Sequence, residues 1–180
     1  MENLTGEDYL FIGDYLLMHD EDLEMVKYYY KLGAEKGNAE CYFKLGIIYE
    51  ISKKKKERVK YYYKKAGNLG FYKAFNILGN IYMNSGKYKK SIRYFKKAIK
   101  QNDISAMYNL GQLFLSLGRY DDMKKYLYMA GENGSTNALK SLGLFFHKIE
   151  KDYDKGQFYL SWAITNRIFF EQYDSSDDSS

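Results

Sequence analysis

The sequence predicts an all-α fold, a right-handed α-solenoid of about five antiparallel helix-turn-helix repeats of 32–33 residues. Three observations predict it. An aliphatic-glycine pair recurs as Ile12-Gly13, Leu45-Gly46, Leu78-Gly79, Leu110-Gly111 and Leu142-Gly143. The small residues Gly33, Ala66, Ala98, Ala130 and Ala163 recur between these pairs, each four positions after Tyr29, Tyr62, Tyr94, Tyr126 or Tyr159. The 180 residues also contain no proline, so little besides 15 glycines interrupts a helix.

Both patterns have helical spacing. Five residues before each repeat glycine stand Asp8, Cys41, Ala74, Ala106 and Ala138; three after it stand Leu16, Tyr49, Tyr82, Phe114 and Phe146. Offsets of −5, −1, 0 and +3 fall on one helical face, the face of a first helix. The tyrosine-to-small offset of four marks the facing stripe of a second helix, with the recurring tyrosines as core rings. Small residues let backbones approach while rings fill the space beside them. One hairpin cannot bury its apolar face alone, so the hairpins stack.

The elements follow in order. Thr5-Gly6-Glu7-Asp8 reads as a capping box opening the first helix. Asp20, Glu21, Asp22 and Glu24 start the second, where negative charge is favourable, and lack the spacing of a calcium loop. Asn38, Asp103 and Ser135 stand where later first helices begin. Lys53, Lys54, Lys55, Lys56, Glu57 and Arg58 fall in the turn between the two helices of repeat two. Ile168, Phe169 and Phe170 stand where a sixth repeat would begin; they either cap the last hairpin or leave an apolar end for another copy. Residues 1–172 form the repeat domain, and 173–180 form a disordered acidic serine tail suited to an acidophilic kinase.

Composition narrows the function. One cysteine, Cys41, excludes an internal disulfide framework, and two histidines leave little for a metal site. No phosphate-cradling glycine loop, nucleophile elbow or catalytic constellation is present, so the chain is read as no enzyme and without a cofactor. The start lacks a secretory signal and no run is long enough to span a membrane, which predicts a cytoplasmic protein, with the nucleus as the alternative. The net charge of +5 conceals an asymmetry. Residues 1–50 hold 4 Lys/Arg against 11 Asp/Glu, whereas residues 51–100 hold 16 against 1.

The stretch from Val26 to Tyr49, with Tyr29, Gly33, Gly37, Cys41, Leu45-Gly46 and Tyr49, resembles a Sel1-like repeat, a branch of the tetratricopeptide superfamily. Val59 to Tyr82 does the same through Ala66, Gly70, Ala74, Leu78-Gly79 and Tyr82. Repeats three and four resemble ordinary tetratricopeptide units, with Gly86, Tyr88, Phe95 and Ala98, then Gly118 and Tyr120. The resemblance covers roughly residues 5–172. It implies a scaffold for protein partners and leaves the partner unnamed.

The resemblance also implies a concave groove lined by the first helix of each hairpin. Groove-facing places include Phe43 and Ile47 in repeat two, Asn76, Asn80 and Asn84 in repeat three, Tyr108 and Gln112 in repeat four, and His147 in repeat five. Asn76, Asn80 and Asn84 run i, i+4, i+8, and each amide offers a donor and an acceptor, which suits the backbone of an extended peptide. Such a groove would bind a partner segment; tolerated polar residues on a wetted face are the alternative. A carboxylate clamp for chaperone tails is disfavoured. Asn80 and Asn109 match its asparagines, but Asn76, Asn137 and Ser141 stand where it needs cations.

A second partner class stays open. Lys53, Lys54, Lys55, Lys56 and Arg58 form either a solvated turn or a basic patch, and the 51–100 segment with Tyr61, Tyr62 and Tyr63 suits nucleic acid. Tyr62 is assigned to the core by register. Cys41, in the place alanine takes elsewhere, reads as a small buried hydrophobe rather than a nucleophile.

Overall fold

A computed structural model describes residues 4–52 and 56–174, with side chains through Asn166. Among the described residues the fold is all-α. Ten helices form five helix-turn-helix pairs. They divide into two compact units, Met1–Gln101 and Asn102–Ser180, where the sequence reads as one repeat domain.

The first unit pairs α1 (Gly6–Met18) with α2 (Leu23–Glu35), α3 (Ala39–Ile51) with α4 (Lys56–Asn68), and α5 (Lys73–Asn84) with α6 (Tyr88–Ile99). Within this unit α2 also packs on α3, and α4 on α5. In the second unit, α7 (Ile104–Ser116) pairs with α8 (Tyr120–Glu132), and α9 (Thr136–Phe145) with α10 (Tyr153–Asp174). A π-helical turn, Phe146–Glu150, prolongs α9. Helix α10 runs to Asp174, two residues into the stretch read from sequence as tail.

The starts follow local chemistry. Thr5 and Asp8 close the capping box. The side chains of Asn38, Asp103 and Ser135 accept from the backbone N–H three residues on, and Asp22 caps α2. The turn four residues past Gly33, Ala66, Ala98 and Ala130 needs a left-handed backbone: Gly37, Gly70 and Gly134 supply it, and Asn102 takes the same role at φ +58°.

The small stripes lie where the spacing puts them. Cys41, Ala74, Ala106, Ala138, Ala66, Ala98, Ala130 and Ala163 are fully buried. The assignment of the recurring tyrosines as core rings holds at Tyr126, which is buried, and is corrected by one residue at Tyr29, Tyr62 and Tyr94. Tyr63 is fully buried and Tyr62 only half-buried, and Tyr30 and Tyr29 divide the same way. The residue over each repeat glycine is Tyr30, Tyr63, Phe95, Leu127 or Leu160; a Cβ on Gly46 would lie 2.6 Å from the Tyr63 ring. One helical step turns a side chain by about 100°, so the preceding tyrosine lands beside the glycine rather than over it. There it stacks on the first-helix aromatic: Tyr62 on Tyr49 at 5.1 Å, Tyr94 on Tyr82 at 5.3 Å, Tyr126 on Phe114 at 5.6 Å, and Tyr159 on Phe146 at 5.4 Å.

Candidate functional site

In the first unit, Phe43 is drawn into packing: its ring lies 4.4 Å from Phe71 and 5.6 Å from Tyr63. Ile47 beside it is half-buried. Asn76 and Asn80 on α5 are half-buried and Asn84 is exposed. Asn84 lines a mostly apolar cleft of about 460 Å³ with Glu50, Tyr49, Ile81 and Lys60. Glu50, also at a groove-facing place, accepts the Tyr63 hydroxyl at 2.6 Å. Burial, then this hydrogen bond, pushes the Tyr63 phenol well above its usual range.

The basic run changes character. Lys56 opens α4 and Arg58 lies within it, so both belong to a helix rather than to the turn expected from sequence. Arg58 Nη1 donates to the Tyr49 hydroxyl at 3.2 Å, and its guanidinium lies 5.6 Å from that ring's centre. Burial opposes ionisation of Tyr49, but the hydrogen bond and charge of Arg58, with Lys31, hold the phenol below its ordinary range. Lys53, Lys54 and Lys55 lie outside the described residues, as do residues 175–180 and the side chains of Ile168, Phe169 and Phe170.

In the second unit, Tyr108 and Gln112 share one face of α7, one turn apart. Tyr108 lines a cleft of about 600 Å³, rich in polar side chains, together with Ile104, Ser105, Asn109, Asn133 and Asn137. The cleft runs between α7 and the start of α9, and Ser135, the cap of α9, borders it. Gln112 is turned to another use: its Nε2 donates to Ser141 Oγ of α9 at 2.8 Å. His147 is exposed in the π-helical turn, its ring edge-on to Tyr153 at 4.9 Å, and stands apart from the polar cleft.

Sequence reasoning missed one network. Asp14 on α1 accepts the Tyr30 hydroxyl at 2.6 Å and the Lys44 ammonium at 2.9 Å, joining the first two hairpins. The available signal was a carboxylate one residue past the repeat glycine, where the other repeats carry Ile47, Asn80, Gln112 and Leu144. Cys41 is fully buried, and burial pushes its thiol up to about 12, which leaves no thiolate at neutral pH.

Two models for the tetratricopeptide repeat match the chain, over residues 72–103 and 104–128. A Sel1 repeat protein from Oxalobacter formigenes superposes with a TM-score of 0.73 at 20% identity, covering 92% of this chain and 73% of that one. MamA superposes at 0.67 with 24% identity, over 90% of this chain and 98% of its own. A protective antigen of uropathogenic Escherichia coli with an SLR fold gives 0.69 at 22% identity, over 93% of this chain and 42% of the antigen. No curated protein matches the chain. Residues 72–128 are therefore tetratricopeptide repeats, and the chain has the solenoid fold shared by tetratricopeptide and Sel1-like repeat proteins. Repeats of this class typically serve protein–protein interaction and are usually noncatalytic. No helix among the described residues is long and apolar enough to cross a membrane.

Proposed function

We propose that this protein is a noncatalytic interaction module that holds an extended segment of a partner protein against its first helices. The observation that carries this reading is the polar cleft of the second unit. Tyr108 and Ile104 stand among Ser105, Asn109, Asn133 and Asn137, so amides and hydroxyls surround an apolar anchor made of one aromatic and one aliphatic side chain. An extended backbone presents alternating N–H and C=O groups, and side-chain amides match both. Within the first unit, Asn80 and Asn84 stand one turn apart on α5 and offer amides of the same kind.

A peptide-display selection against the intact protein tests the reading. Selected peptides should bind the Tyr108→Ala, Asn137→Ala double variant at least about tenfold more weakly, since a buried aromatic anchor is worth more than 1.4 kcal/mol. Peptides that bind this variant unchanged would place the interaction elsewhere.

A further inference from the structure

The outer faces of α4 and α6 carry a charge that neither packing nor the groove uses. Lys89, Arg93, Lys96 and Lys100 follow at i, i+4, i+7 and i+11, one stripe about 16 Å long. All four are exposed, and none joins an ion pair among the described residues. Between residues 56 and 100 the one carboxylate is Glu57. Lys60 takes it at 2.6 Å and holds it below the usual carboxylate range, with Lys87 and Lys90 adding to the effect. The two helices meet over one ring: Lys60 Nζ of α4 lies 5.8 Å, and Lys90 Nζ of α6 5.6 Å, from the centre of Tyr82.

On its other flank, α4 borders a cleft of about 540 Å³ within the same unit. Glu35, Tyr42, Tyr61, Lys64, Lys65 and Asn68 line it. Tyr61 is 52% exposed, and Lys65 Nζ stands 5.8 Å from its ring centre. An aromatic face, an amide and two ammonium groups, with the single carboxylate of Glu35 at the end of α2, thus share a concave site on the flank of α4 away from α6. A strand leaving it reaches the α6 stripe across the outer face of α4.

We propose that this face binds single-stranded nucleic acid, with a base against Tyr61 in the cleft and the phosphate backbone tracked by Lys64 and the α6 stripe. Cations and rings divide the work as such strands require: lysines meet phosphates as point charges, and tyrosine meets the π-face that every base carries. An acidic peptide would use the cations and leave Tyr61 idle. An anionic membrane would use a flat face and leave the cleft idle. A duplex keeps its bases stacked away from the ring.

Fluorescence anisotropy with a labelled single-stranded oligonucleotide of about 15 nucleotides, on the intact chain across a salt series, tests this. Four phosphate contacts on a single strand give a log–log salt slope of about −3, so affinity should fall about 50-fold between 50 and 200 mM salt. The variant with Lys89→Gln, Arg93→Gln, Lys96→Gln and Lys100→Gln, all exposed positions, should keep the wild-type circular dichroism and flatten the slope. Tyr61→Ala should weaken binding by roughly 5- to 150-fold and leave the slope unchanged. Binding indifferent to Tyr61→Ala or to the four substitutions overturns the proposal. So does equal or tighter binding of a duplex, polyglutamate or anionic vesicles.

Discussion

The rings of Tyr82 and Tyr94 lie 5.3 Å apart and within 4° of parallel, clamping α5 to α6. Lys90 lies over Tyr82 and Lys97 over Tyr94, so each ring carries a cation as well as its partner. Because the pair recurs as Tyr49–Tyr62, Phe114–Tyr126 and Phe146–Tyr159, it is the cross-brace of the hairpin. A double-mutant cycle on Tyr82→Ala and Tyr94→Ala should return a coupling of about 1 kcal/mol by urea denaturation. Additive effects would show that the rings are neighbours without a brace.

The repeat glycines should differ in what they tolerate. A methyl group on Gly46 would meet the Tyr63 ring at 2.6 Å, and that ring is tethered through its hydroxyl to Glu50. On Gly111 it would meet Leu127 at Cδ2 and Cγ, 2.6 and 2.7 Å away, a fully buried aliphatic side chain with no hydroxyl to tether it. Both changes overpack a buried helix contact and should destabilise, Gly46→Ala by about 2–3 kcal/mol and Gly111→Ala by about 1–2 kcal/mol, measured by chemical denaturation.

The turns give a gain rather than a loss. Lys151 holds φ at +54° in the turn before α10, and Asn102 holds +58° before α7. Glycine removes the Cβ penalty in that region, and asparagine already tolerates it better than lysine. Lys151→Gly should stabilise by about 1 kcal/mol and Asn102→Gly by less. Thermal melts of the two variants check the order.

Alkaline pH should destabilise the first unit through a buried thiol and a half-buried phenol. Cys41 ionises near 9 when exposed, and burial raises it to about 12 in the fold. Tyr62 rises from 10 to about 12, chiefly by burial and then through its neighbour Tyr49. A raised acid favours the fold fully below its unfolded value and loses that contribution as pH climbs towards the folded one. The melting temperature should therefore hold to about pH 9 and decline between 9 and 12. Cys41→Ala, the residue other repeats carry there, should delay the onset of the decline.

What was legible in the sequence was what repeats locally. Helix caps at Thr5, Asn38, Asp103 and Ser135 act within three residues, so their spacing exposes them. The ring over the glycine was hidden because its identity drifts from Tyr30 and Tyr63 through Phe95 to Leu127 and Leu160, while the stacked tyrosine beside it never changes. Asn102 escaped for a related reason, as a left-handed residue where the other turns have glycine. The site was harder to read. Gln112 looks like a groove amide, yet Ser141, 29 residues away, takes its hydrogen bond. Arg58 looks like turn charge, yet the Tyr49 hydroxyl holds it. Periodicity assigns a residue to a face, and neighbours across the helix pair decide what remains there to bind.

The central claim is that a partner segment lies in the polar cleft around Tyr108. Isothermal titration of a peptide selected on the intact protein, against wild type and the Tyr108→Ala, Asn137→Ala variant, tests it most directly. Wild type should show one site, and the variant should bind at least about tenfold more weakly with its thermal melt unchanged. Equal affinity for both proteins would contradict it.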